Sequence, residues 1–314
     1  MRFNAGRMAG RQRNRHRRFT NEKTPNIVSG GNICAVRSLP ASLVSGSVEG
    51  SATDRRWRVR YTVGEAVSFV ARRAMQKAAR TARPGDNQTL WNLGKADERR
   101  FWRAWIDQQG MEWSDDFQQR LDPGAPFDDW VEQQAIDASI TGPVLGVLDV
   151  GAGPVTCLGY RSPNWEIHIT ATDALGSDYA GLWRDAGRMP PVVTRPVPAE
   201  DLSAVSYMGP FDVVHMRNAL DHCVSPVAAI EQMTQQVADG GVILLRHEVN
   251  EAENESYKGL HQWNLEPRGD NLHVWNKNVD VNLTGWLDER GFDCQTEALD
   301  IGGAPWVRNV VTRR

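Results

Sequence analysis

The chain has 314 residues, of which 40% are apolar and 24% charged, with a formal net charge of −3. That length suits one large domain or two modest ones, and no apolar run approaches the roughly 20 residues that cross a bilayer. The small net charge hides an asymmetry: residues 1–83 hold 18 Lys and Arg against 4 Asp and Glu, whereas residues 84–314 hold 18 against 35.

Such a split predicts a basic arm attached to an acidic globule. Residues 1–50 carry the like-charge block Arg11–Arg18 and then runs of Gly, Ser and Pro, with no hydrophobic periodicity that could offset chain entropy. Residues 1–83 are therefore expected to be largely disordered, with one amphipathic helix over 65–80. Its Val67, Val70, Ala71, Ala74, Met75 and Ala78 share a face. The N-terminus is basic but lacks an apolar h-region, so no signal peptide is expected. Cys34, Cys157, Cys223 and Cys294 are widely spread with no C-x-x-C pair, which predicts reduced thiols and a cytoplasmic protein.

Residues 84–140 predict a helical cap. One helix is expected from an N-cap at Asp97 to a stop at Gly110, with Phe101, Trp102, Trp105 and Ile106 as its apolar stripe. A second is expected from Asp128 to Ala138. Both precede the first core strand and are placed to roof a ligand cleft.

From residue 141 to 314 strands and helices alternate, the pattern of a parallel α/β sheet. Strands are expected at Leu145–Val150, Ile167–Thr172, Val192–Arg195, Phe211–Met216 and Gly241–His247, with helices near 177–187 and 226–238 and a tight turn at Gly240-Gly241. A helix over Leu283–Arg290 then leads to two strands, Phe292–Ala298 and Trp306–Thr312, as a terminal antiparallel pair around Asp300–Pro305.

The first strand ends in Asp149-Val-Gly151-Ala-Gly153, an acidic residue followed by a glycine turn. Glycines let backbone approach a nucleotide-sized ligand closely. A carboxylate at that turn suits a cationic ligand better than a pyrophosphate, which favours S-adenosylmethionine over a dinucleotide. The third glycine of the G-x-G-x-x-G dinucleotide fingerprint is also missing, because position 156 is Thr. The second strand delivers Asp173, placed to accept both ribose hydroxyls, or else to cap the helix over 177–187. Pro198-Ala199-Glu200-Asp201-Leu202 follows the third strand and could stack on an adenine and meet its edge. The fourth strand runs into Asn218-Ala-Leu-Asp221-His222, a polar cluster at the carboxyl edge of the sheet, where ligands of open α/β folds bind.

This order resembles the class I S-adenosylmethionine-dependent methyltransferases, particularly their small-molecule group. The elements that carry the likeness are Asp149–Gly153, Asp173, Ala199–Leu202, the F-D-x-V strand Phe211–Val214, Leu220-Asp-His222 and Gly240-Gly241. Val155 replaces the third glycine of D-x-G-x-G-x-G, and Pro198 stands where many relatives have Asp. The resemblance implies a Rossmann-like, doubly wound, seven-stranded sheet with a terminal antiparallel hairpin. It also implies S-adenosyl-L-methionine as cofactor, held by Asp149, Gly151, Gly153, Asp173, Ala199, Glu200 and Asn218. The segment 86–123 further looks like the leader of methyltransferases found beside polysaccharide or natural-product genes.

The expected reaction is in-line methyl transfer, most simply to a hydroxyl of a small-molecule or saccharide acceptor. A general base would help. His222, His247 and His261 are candidates, with His222 or His261 expected nearest the nucleophile. His247-Glu248 with Glu251 and Glu253 matches no ligand spacing, so no metal is expected. A nucleic-acid substrate is disfavoured, since the fourth strand leads into Asn218-Ala-Leu-Asp221 rather than a D/N-P-P-Y element. The alternatives are an NAD(P)-dependent oxidoreductase, which would share the glycine loop and the ribose acid, and a methyltransferase-like protein that only binds. The sequence does not fix the oligomeric state.

Overall fold

The computed structural model describes residues 87–314. The basic arm and the helix expected over 65–80 lie outside the described residues. The main sheet has seven strands: β1 (Val144–Val150), β2 (Glu166–Asp173), β3 (Arg195–Pro196), β4 (Phe211–Arg217), β5 (Val237–Glu248), β9 (Phe292–Ile301) and β10 (Ala304–Arg313). Their spatial order is β3-β2-β1-β4-β5-β10-β9. β10 pairs antiparallel with both β5 and β9, and the other pairings are parallel. The Rossmann-like sheet and its terminal hairpin are thus as expected.

The central strands are apolar because both faces are covered. Successive side chains alternate between faces. Leu148 and Val150 of β1 join Val214, Met216, Ile243 and Leu245 in one cluster with Ala229, Ile230 and Met233 of helix α5 (Pro226–Gln236). Leu145 and Val147 point the other way, against Phe127 and against Val131 and Ala135 of helix α3 (Asp129–Asp137). Asp128 caps α3 by accepting from the amides of Trp130 and Val131.

Helix α1 spans Asn87–Asp107, so Asp97 is an interior residue rather than an N-cap. The predicted stop holds: Gly110 turns with φ +97° and donates its amide to the Trp105 carbonyl, 2.7 Å away. The expected stripe divides in two. Trp105 and Ile106 are buried with Phe117 of helix α2 (Ser114–Leu121) and with Tyr179, Leu182 and Trp183 of helix α4 (Gly176–Asp185). Phe101 and Trp102 face a cavity instead.

Three elements differ from the sequence reading. β3 is only Arg195–Pro196, and Val193 is exposed. Pro190, Pro191 and Pro196 lack amide donors, which leaves little to build an edge strand from. The fifth strand begins at Val237, directly after α5, so Gly240-Gly241 lies inside the strand's span beside a register shift against β4. Between β5 and β9 the chain forms a short helix α6 (Glu251–Asn254) and a second, three-stranded antiparallel sheet, β6 (Asn264–Arg268), β7 (Asn271–Trp275) and β8 (Asp280–Asn282), followed by helix α7 (Leu283–Asp288). Leu265, Leu272 and Val274 bury that sheet in the same core as α5.

Strand order reverses between β1 and β4: β2 lies on one side of β1 and β4 on the other. That switch point opens a crevice at the carboxyl ends of the strands.

Candidate active site

The crevice is a cavity floored by the ends of β1, β2 and β4 and covered by Trp91, Phe101 and Trp102 of α1. Asp149, Gly151, Gly153, Asp173, Ala199, Glu200, Asn218, His222 and His261 all line it. His247 does not. It is fully buried on β5, neither ring nitrogen has a hydrogen-bond partner, and burial lowers its pKa to about 3, so it stays neutral and cannot act on an acceptor.

The glycine loop is shaped by close approach. Gly151 has φ +70°, and a Cβ there would lie 2.4 Å from the Ala219 Cβ. The loop is tied to β2 by the Ala152 amide, which donates to the Thr172 carbonyl, and by the Gly153 amide, which donates to Asp173 Oδ2 at 3.1 Å. The Trp102 ring lies over Gly153, 3.1 Å from where its Cβ would be, and the Trp102 indole N–H donates to Glu98 at 2.6 Å.

Asp173 does not cap α4 as an N-cap residue; that position is Leu175, without a side-chain cap. Its Oδ1 accepts from the Leu175 amide at 2.8 Å while Oδ2 accepts from Gly153. Burial raises its pKa to about 7, against the two amides that favour the ionised form and with Glu98 adding to the rise. Each carboxylate oxygen keeps a lone pair for a further donor.

Asp149 is spent differently from expectation. Its Oδ1 lies 2.8 Å from Nδ1 of His215, a buried residue of β4 that the sequence reading did not single out. Its Oδ2 is buried with no hydrogen-bond partner. Glu200 also has a structural duty, accepting from the amides of Val224 and Ser225 at the start of α5. Asn218 sits at φ +43° and accepts from the Glu248 amide through Oδ1, leaving its Nδ2 buried and unpartnered.

His222 and His261, which line the cavity, meet at the buried carboxylate of Asp221. Asp221 and His222 belong to a 3-10 turn (Leu220–His222) after β4, and His261 comes from the loop before β6. Asp221 Oδ2 is 2.7 Å from His261 Nδ1 and 3.4 Å from His222 Nε2, and those two nitrogens are 3.1 Å apart. Burial pushes the Asp221 carboxyl up, but His222 and the hydrogen bond from His261 outweigh it and hold the group well below the usual range. The same bond raises His261 against its own burial. The sequence pointed to both histidines and to Asp221 in its polar cluster, but not to the contact through which Asp221 joins them. The adjacency of Asp221 to His222 was the available signal.

The loop bearing His261 is held against the roof. Gly94 of α1 packs so closely on it that a Cβ would lie 2.3 Å from the Gly259 carbonyl oxygen.

Residues 107–297 match the family described as "Methyltransferase domain". The chain belongs to this methyltransferase family, and it is an S-adenosylmethionine-dependent enzyme. The nicotinamide reading of the glycine loop and the binding-only reading fall with that assignment. No curated protein matches the chain significantly. Among solved structures it is similar to an S-adenosylmethionine-dependent methyltransferase from Clostridium acetobutylicum, at 10% identity, TM-score 0.38, over 68% of this chain and 98% of that one. It is also similar to the 1,6-didemethyltoxoflavin-N1-methyltransferase of Burkholderia thailandensis, at 15% identity, TM-score 0.37, over 69% and 87%. A third is the N-methyltransferase NodS of Bradyrhizobium japonicum, at 12% identity, TM-score 0.36, over 58% and 84%. These likenesses say nothing about this chain's acceptor.

Proposed function

We propose that the protein methylates a hydroxyl of a small-molecule acceptor, of saccharide or natural-product type, by in-line transfer. The observation that carries this reading is a cavity lined both by the residues of the cofactor cradle and by His222 and His261, whose ring nitrogens meet at the buried Asp221 carboxylate. The cradle suits the cofactor on three counts: the unpartnered Asp149 Oδ2 for a cationic amino group, Asp173 for two ribose hydroxyls, and a glycine turn that a Cβ would fill. Ala199 and Glu200 line the same cavity and would meet the adenine, and the unpartnered Asn218 Nδ2 would offer the cofactor a donor.

When bound, S-adenosylmethionine supplies a sulfonium-activated methyl carbon, which the acceptor oxygen attacks as the carbon–sulfur bond breaks and its electron pair returns to sulfur. The residues of this chain position that oxygen, exclude water and deal with its proton. Trp91, Phe101 and Trp102 line the same cavity and would shield it from water, and His222 and His261 are the groups there that can compensate the proton lost. Nucleic acid is not part of this reading. The free thiols of Cys157, Cys223 and Cys294 support a cytoplasmic setting, and residues 1–83 are read as a basic arm outside the catalytic domain, with 84–140 as its cap.

The test is methyl transfer from labelled cofactor to a panel of sugars, phenols and amines. Hydroxyl acceptors should be methylated. His222→Gln and His261→Gln should each lose about 10²–10⁴ in turnover while affinity for S-adenosylhomocysteine holds. Labelling of amines alone, or unchanged turnover in both variants, would refute the assignment.

A further inference from the structure

We infer that Asp221, His222 and His261 form a site for one divalent first-row transition cation of the zinc or manganese kind, which holds the acceptor oxygen. This deepens the reading above and rests on it for where the acceptor lies.

The three donor atoms converge on one point. Asp221 Oδ2, His261 Nδ1 and His222 Nε2 make a triangle with edges of 2.7, 3.1 and 3.4 Å. Ligands about 2.0–2.1 Å from a shared cation are spaced by about 2.9 Å in cis octahedral geometry and by about 3.4 Å in tetrahedral geometry. The observed edges span that interval. The two imidazole planes meet at 75° with centroids 4.5 Å apart, so the rings do not stack.

Protons alone serve this arrangement poorly. A proton on His261 Nδ1 satisfies Asp221, but His222 Nε2 then shares that same N–H. A second proton on His222 Nε2 would set two N–H groups facing each other at 3.1 Å. A cation in place of the bridging proton satisfies all three lone pairs at once. Asp221 is kept for this purpose: it is 1% exposed, and its second oxygen, Oδ1, is buried with no hydrogen-bond partner.

The donor set points to the class of ion. Two imidazoles and one carboxylate suit zinc, manganese or ferrous iron and are a poor match for the oxygen-seeking magnesium and calcium. Three protein ligands leave coordination positions open, the arrangement of catalytic rather than structural sites. His222 and His261 both line the cavity, so the open positions face the space where an acceptor would sit. A hydroxyl bound there loses its proton to water more readily, as cation-bound water does. The histidines then act on the oxygen through the ion rather than as direct bases.

The experiment is calorimetric titration of the chelator-treated full chain with Zn²⁺, Mn²⁺ and Mg²⁺ separately, with S-adenosylhomocysteine titrated in parallel. One equivalent of Zn²⁺ or Mn²⁺ should bind with a Kd of micromolar or tighter, and Mg²⁺ should not compete. Asp221→Asn and His222→Gln should each weaken that binding at least tenfold and leave the affinity for S-adenosylhomocysteine unchanged, which shows the variants are folded. Binding that persists in the Asp221→Asn/His222→Gln double variant, or no binding of either transition ion to the original chain, would overturn the site. Methyl transfer that proceeds at full rate in chelator would also overturn it, while leaving the methyl-transfer reading intact.

Discussion

Asp149 and His215 stand opposite each other on neighbouring strands, with Oδ1 and Nδ1 2.8 Å apart and both side chains buried. The pair fixes the carboxylate at the head of the glycine loop, so only Oδ2 is left for a ligand. Removing one member of a buried pair strands the other. His215→Ala should therefore lower the unfolding free energy by about 3–5 kcal/mol, read from urea denaturation. A loss below about 1 kcal/mol would mean that Asp149 is satisfied some other way.

Asp173→Ala should weaken S-adenosylhomocysteine binding by about 2–4 kcal/mol, the worth of two charge-assisted hydrogen bonds. The fold should survive, because what the variant loses inside the protein is two hydrogen bonds, from the Gly153 and Leu175 amides. Titration of the purified variant checks this. Unchanged affinity would remove Asp173 from the ribose site.

The raised pKa of Asp173 gives that affinity a pH dependence. In the empty protein burial holds the group near 7, above the ordinary carboxylate value of about 3.9. Two hydroxyl donors need the ionised carboxylate, so binding expels a proton wherever the empty site keeps one. Affinity should be level above pH 7 and fall about tenfold per unit below it. Stability of the empty protein runs the opposite way. The folded state holds a proton that the unfolded chain has released, so Asp173 stabilises fully at low pH and loses that contribution as pH rises through about 7. A flat affinity profile between pH 5.5 and 7.5, chosen as roughly spanning that window, would contradict both.

Gly151→Ala tests the turn itself. The backbone is left-handed there, and the new methyl would meet Ala219 at 2.4 Å. Strain of about 1–3 kcal/mol and a displaced loop should follow. The melting temperature should fall by several degrees and cofactor affinity with it. A variant with both intact would show that the loop shifts freely.

What the sequence made legible was local. An apolar run ending in Asp149-Val-Gly-Ala-Gly announces a buried strand and a turn within a few residues, and β1 and its loop match it closely. α1 was under-read because its N-terminal portion packs through Gly94, a poor helix former that is there to let the backbone approach Gly259. The small sheet was missed although Gly269-Asp270 followed by alternating Leu272 and Val274 is a hairpin signal; Pro267 in the preceding strand obscured it. The Asp149–His215 and Asp221–His261 pairs were invisible for a different reason. Their members are 66 and 40 residues apart: strand order brings the first pair together, and the second meets where the turn after β4 packs against the loop before β6.

His261 reaches the cavity on chain that the seven-stranded sheet does not require. β5 could connect to α7 and β9 without the small sheet between them, and none of the residues that cradle the cofactor lies in that excursion. On the proposed placement of the acceptor, this stretch belongs to the part of the protein that meets the recipient and stands apart from the residues proposed to hold the methyl donor. Exchanging residues 256–282 with the equivalent stretch of another member of the family should change which compound is modified while the donor half works as before.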